Sequence, residues 1–130
     1  MKPFWLLFAL AATAMPAYAD APANISVAPR TAVSDARPVM LAAIQAGNGE
    51  SHGVLTGDDA NAISQRFGAS SPIFIDVTTE RRYQQPGCSR LKVMFWQDGV
   101  LLPRAKVPRR QTMEFGINYC LDGMPPKALL

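Results

Sequence analysis

His52 is the only imidazole in the chain, and it stands next to Ser51. Hydrolysis by a serine nucleophile needs a His within reach of a hydroxyl, oriented by an acid. No Gly-x-Ser-x-Gly elbow is present, and that motif is what exposes such a serine in one large hydrolase class. His52 therefore reads as a solvent-exposed loop side chain. Paired carboxylates are the next chemistry to consider, since glycoside cleavage uses two of them. Asp58 and Asp59 are sequence neighbours, and their place at a helix start is explained by the positive end of the helix dipole. Asp76 and Glu80 are four apart on or after an expected strand, which would put them on one face. Gly47, Gly49 and Gly53 only superficially resemble a phosphate loop. Their spacing is not that of the dinucleotide fingerprint, they follow an expected helix, and no Gly-Lys-Ser/Thr ending occurs.

Two cysteines and one histidine are too few for a typical zinc or iron–sulfur site. No metal or cofactor is expected. Cys88 and Cys120 lack the Cys-x-x-Cys spacing of a redox pair, so they read as one structural disulfide. Closing a loop of about 33 residues would stabilise the fold by roughly 3–4 kcal/mol in the chain-entropy treatment.

A disulfide implies an oxidising compartment, and residues 1–19 agree with that. Lys2, the apolar run from Phe4 to Ala14 and the small-x-small site Ala17-Tyr18-Ala19 have the layout of a cleavable export signal. The apolar run falls short of the roughly 20 residues that span a bilayer. The expected product is a soluble periplasmic chain, 20–130, without a transmembrane segment. Losing Lys2 takes its net charge from +3 to +2.

The elements that must position these residues follow from periodicity. Residues 20–33, rich in Ala and Pro, read as an extended arm. Ser34 can cap a helix to about Ala46, with Pro38 in its first turn. Residues 47–57, with four glycines, read as a flexible loop. Thr56 can cap a second helix that ends at Gly68. Residues 72–79 are β-branched and read as a strand, and Leu91–Trp96 alternate as a second. Asp98-Gly99 signals a two-residue hairpin into a short third strand, 100–102. Met113, Phe115, Ile117 and Tyr119 mark a last strand. The expected fold is α+β, a single domain over 34–130. Two short N-terminal helices would precede a three- to four-stranded antiparallel sheet, stapled at one end by Cys88–Cys120.

Charge is segregated along this layout. Residues 20–80 carry three cations against seven carboxylates, whereas 81–110 carry eight cations against Asp98 alone, a net of +7. This run reads either as a solvated hairpin face balanced by the acidic helices or as a recognition surface, in which Arg81, Arg82, Lys92, Arg104, Lys106, Arg109 and Arg110 are the candidate contacts to an anionic partner. Tyr83 and Trp96 are candidate aromatic anchors, since interfaces favour aromatics and Arg, with a core role the alternative for Trp96. No nucleic-acid-binding motif is present, and export argues against nucleic acid, so a protein partner in the envelope is expected.

Several strings in the second half carry a resemblance. They are Thr79-Glu80-Arg81-Arg82-Tyr83, Gln85-Pro86-Gly87-Cys88, Phe95-Trp96-Gln97-Asp98-Gly99-Val100, Phe115-Gly116-Ile117-Asn118-Tyr119-Cys120 and Asp122-Gly123-Met124-Pro125-Pro126. Over 72–130 the chain resembles small exported proteins of conjugative-transfer gene clusters. The resemblance implies a periplasmic accessory role near a type IV secretion apparatus and supplies no catalytic residues. A non-enzymatic binding or adaptor domain is the expectation. The alternatives are a small cell-envelope hydrolase using Asp76, Glu80 and His52, or a secreted inhibitor or immunity-type protein presenting its 103–110 connection.

Overall fold

The computed structural model describes residues 29–130. The expected signal, 1–19, and most of the expected arm lie outside the described residues. The elements are β1 (Thr31–Val33), α1 (Arg37–Gln45), β2 (Glu50–Leu55), α2 (Asp58–Arg66), β3 (Ile73–Arg82), β4 (Cys88–Val100) and β5 (Arg109–Cys120). The sheet is five-stranded in the order β1-β2-β3-β4-β5. β1 and β2 are parallel, joined through α1, and every other pair is antiparallel.

This corrects the expected architecture. The sheet is mixed, not purely antiparallel, and has five strands, not three or four. The helices do not form an N-terminal pair, because β1 precedes α1 and β2 separates α1 from α2. Two strands lie where none was expected, β1 at the end of the presumed arm and β2 in the presumed glycine loop. Gly53 sits inside β2 opposite Ile75, and a Cβ there would lie 2.6 Å from Val39 Cγ2 and 3.2 Å from the Thr31 carbonyl oxygen. Glycine is needed at that point for α1 to lie close against the strand.

The Asp98-Gly99 signal marks a bulge instead of a hairpin. β4 runs without interruption to Val100, and the register jumps from Gln97↔Gln111 to Val100↔Arg109. One extra β4 residue is accommodated there by Gly99 at φ 70°, the left-handed backbone that both type I′ turns and glycine bulges use. The true β4–β5 connection is 101–108. The caps differ too. Ala36 precedes α1 and Gly57 precedes α2, without side-chain capping by Ser34 or Thr56. Asp35 Oδ1 instead accepts the Arg37 backbone N–H at 2.9 Å.

Both helices lie on one face of the sheet. Alternation along β3 and β4 sends Ile75, Val77, Leu91 and Val93 to that face, where Val39, Met40, Ala43 and Ile44 of α1 close the core. α2 is held more lightly, with Ala60 its one buried residue. Gln97 reaches from the sheet to Ser64 Oγ at 2.9 Å and the Ser71 carbonyl at 2.8 Å. The expected staple is present: Cys88 and Cys120 are cross-strand partners and form the disulfide. It fixes the start of β4 to the end of β5. Among the described residues no helix is long and apolar enough to cross a membrane.

Candidate functional site

Among the described residues no helix lies on the other face of the sheet. Period-two alternation brings Phe74, Asp76 and Thr78 of β3 there, together with Lys92, Met94 and Trp96 of β4. Register lines up His52 with Asp76, and Phe74 with Trp96, which in turn pairs with Thr112. Residues far apart in sequence thus become one row across the strands.

Asp76 is the hub of that row. One of its oxygens, Oδ1, meets His52 Nδ1 at 2.7 Å and Arg30 Nη1 at 2.9 Å. The other, Oδ2, accepts the Trp96 indole N–H at 2.7 Å. Burial alone would raise the pKa of this carboxyl, but the bonds from His52, Trp96 and Arg30 outweigh it and hold the group below its ordinary value. Asp76 is therefore a fixed anion at neutral pH. Arg30 is anchored further by the Gly53 carbonyl at 3.1 Å.

The aromatic rings complete the row. Phe74 and Trp96 have centroids 4.4 Å apart. The Arg30 guanidinium lies 4.4 Å from the Phe74 centroid and 5.6 Å from that of Trp96. From β5, Arg110 sits 4.3 Å from the Trp96 centroid while pairing with Asp98 at 2.6 Å. That pair raises the Arg110 pKa and lowers that of Asp98. Both are exposed, so the pairing orients Arg110 more than it stabilises the fold. Such an aromatic–guanidinium row presents ring edges and directed N–H donors to a partner.

The sequence candidates divide between the faces. Trp96, Arg110 and Lys92 belong to the open face. Arg81 pairs in register with Arg90 and lies 5.6 Å from the Tyr83 ring centroid. The Tyr83 hydroxyl donates to Asn118 Oδ1 at 2.7 Å, and Arg90 Nη1 donates to the same oxygen at 3.2 Å. Arg90 lies over Gly116, where a Cβ would collide with its guanidinium. Arg82 points the other way and donates to the Ile44 and Ala46 carbonyls at the end of α1. Arg109 alternates with Arg110 and falls on the helix side, while Arg104 and Lys106 stand in the exposed 101–108 connection. The basic segment is thus two surfaces, not one.

The hydrolase candidates are only partly assembled. His52 and Asp76 meet, so His52 is a strand residue and not a loop side chain. The register shift between Thr79 and Arg81 makes Glu80 a bulge residue and removes it from the Asp76 row. Glu80 instead lines a small depression with Gly47–Gly49. The Asp76 oxygens are already engaged by three donors, and among the described residues Asp76 is the hydrogen-bond partner of the His52 ring. Among the same residues no group of three or more His, Cys, Asp or Glu lies together as a metal cage.

Arg30 and Phe74 were missed by sequence reasoning. Arg30 falls in the presumed arm, and only the short β-branched run Thr31-Ala32-Val33 hints at a strand there. Phe74 stands in a β-branched run whose composition alone does not tell one face from the other. No protein-family model, curated protein or solved structure matches the chain.

Proposed function

We propose that this chain is an exported, periplasmic, non-enzymatic binding or adaptor protein that docks an acidic protein partner on the open face of its sheet. The observation that carries this reading is the Trp96 row. An indole fixed by Asp76 and flanked by Arg30 and Arg110 lies on the sheet face that no helix covers among the described residues. Binding hot spots favour Trp, Tyr and Arg in such settings. Lys92 and Arg90 extend the cationic character along β4. The disulfide and the signal-like residues 1–19 support export, and the resemblance over 72–130 supports a role as an accessory of a conjugative type IV secretion apparatus.

Asp76 holds His52 by Nδ1, as the acid of a catalytic triad does, but among the described residues no Ser, Thr or Cys side chain hydrogen-bonds the His52 ring, so the nucleophile such a set needs is not in place. The test is co-purification from the cell envelope. Trp96→Ala and Arg110→Glu should each weaken recovery of the bound partner by tenfold or so, a hot-spot effect of about 1.4 kcal/mol or more. Arg109→Glu, on the other face, should leave it intact. Undiminished recovery with both open-face variants would refute the assignment.

A further inference from the structure

The helix side of the sheet holds a second feature that the Trp96 row does not use. α1 covers β3 and the middle of β4, but α2 stands off from β4 and β5 and leaves an apolar cleft of about 480 Å³. Ligand sites run from roughly 300 to 1,000 Å³. Its walls include Ile63 and Phe67 of α2, Phe95 of β4, Leu102, and Met113 of β5. Ile63 is 40% exposed and Met113 60%, so the cleft opens to solvent along its length. Every buried side-chain polar atom among the described residues has a partner, and Gln97 at the cleft floor is satisfied by Ser64 and Ser71. The lining thus asks for apolar surface and little else.

The two ends of the cleft differ in charge. At one end the surface continues over Val100 and Leu102 to Lys106 and Arg109, and over Phe67 to Arg66 and Arg104. At the other it continues past Leu55 and Phe95 to Asp59 and to Asp35, the latter paired with Arg37 at 2.8 Å. An apolar trough with cations at one mouth and carboxylates at the other selects both the kind of occupant and its direction. We propose that this cleft binds a fatty-acid anion, its chain along Ile63, Phe95 and Met113 and its carboxylate at Lys106 and Arg109. The cleft lies on the helix side of the sheet; Trp96 and Thr112 of the open-face row also border it, but the proposal does not rest on what docks to that row.

Titration calorimetry with dodecanoate, dodecyltrimethylammonium and butyrate, each below its micelle concentration, tests the proposal. Dodecanoate should bind saturably at one site and roughly five- to tenfold more tightly than the ammonium amphiphile, as two exposed ion pairs would give. Butyrate should bind negligibly, because it lacks the chain. Lys106→Glu with Arg109→Glu should erase or invert the preference between the two head groups. Ile63→Trp, at a position 40% exposed, should fill the trough and weaken both amphiphiles. Absence of saturable dodecanoate binding overturns the proposal, as do equal affinities for the two head groups or indifference to Ile63→Trp.

Discussion

Replacing Asp76 by Ala removes the acceptor shared by His52, Trp96 and Arg30. A hydrogen bond to a charged group is worth about 1.5–3 kcal/mol, but the three losses do not add in full. Arg30 keeps the Gly53 carbonyl at 3.1 Å and the Ile75 carbonyl at 3.4 Å. The His52 side chain is 30% exposed and can turn to water. About one such bond remains uncompensated, so the expected cost is about 2–3 kcal/mol. For a domain of this size that is a fall in Tm of roughly 8–24 °C. The effect must also depend on pH. The folded-state pKa of Asp76 lies below its ordinary value, so its contribution is complete above the unfolded value of about 3.9. It is lost as pH falls through the folded value. Urea unfolding followed by circular dichroism should show the full gap between the unaltered protein and Asp76→Ala at pH 7. The gap should close between about pH 4 and the acid limit. Asp35, held down to about 2 by Arg37, titrates in both proteins and cancels in the difference. A gap under about 0.5 kcal/mol at pH 7, or one unchanged at pH 2.5, would refute Asp76 as the ionised hub.

Removing the disulfide by Cys88→Ser with Cys120→Ser should cost roughly 3–4 kcal/mol, from the entropy of a loop with sequence separation 32. An equal urea midpoint for bridged and bridgeless protein would contradict that. Gly53→Val should lower stability by about 1–3 kcal/mol, because the added carbons meet Val39 and the Thr31 carbonyl. Thermal unfolding within a degree of the unaltered protein would show that α1 does not pack closely on β2.

Much of the scaffold was legible because local signals agreed with the fold. The apolar spacing of Val39, Met40, Ala43 and Ile44 gave α1, and all four are buried. β-branched runs gave the strand after Pro72, and alternation gave β5. The cysteines anticipated a cross-strand staple. What stayed hidden was hidden for identifiable reasons. β2 carries Gly53 because a helix crosses it closely, and glycine reads as loop. The left-handed preference at Gly99 serves turns and bulges alike, so the dipeptide could not tell them apart. β1 has three residues, too few for a period. The fold-class error followed from those three positions.

The site was legible only as parts. Trp96, Arg110 and Tyr83 stood out by residue type and by the charge run around them. The division of the basic run between two faces, with Lys92 and Arg110 on one and Arg82 and Arg109 on the other, depends on two register shifts, at Thr79/Arg81 and Gln97/Val100, and no composition argument reveals those. The meeting of His52, Asp76 and Arg30 is likewise a product of strand order. Each residue alone looked ordinary: a lone imidazole, one of several carboxylates, and a cation in an Ala/Pro-rich segment.

The central claim is that the open face, and not the helix side, is the docking surface. Gln111 and Thr112 are adjacent, yet Thr112 pairs with Trp96 and Gln111 with the buried Gln97, so their side chains leave opposite faces of β5. Each can carry a photo-crosslinking residue in separate variants expressed in the native envelope. The account predicts a covalent protein adduct from position 112, lost on adding Arg110→Glu, and none from position 111. An adduct from 111 with none from 112 would contradict it.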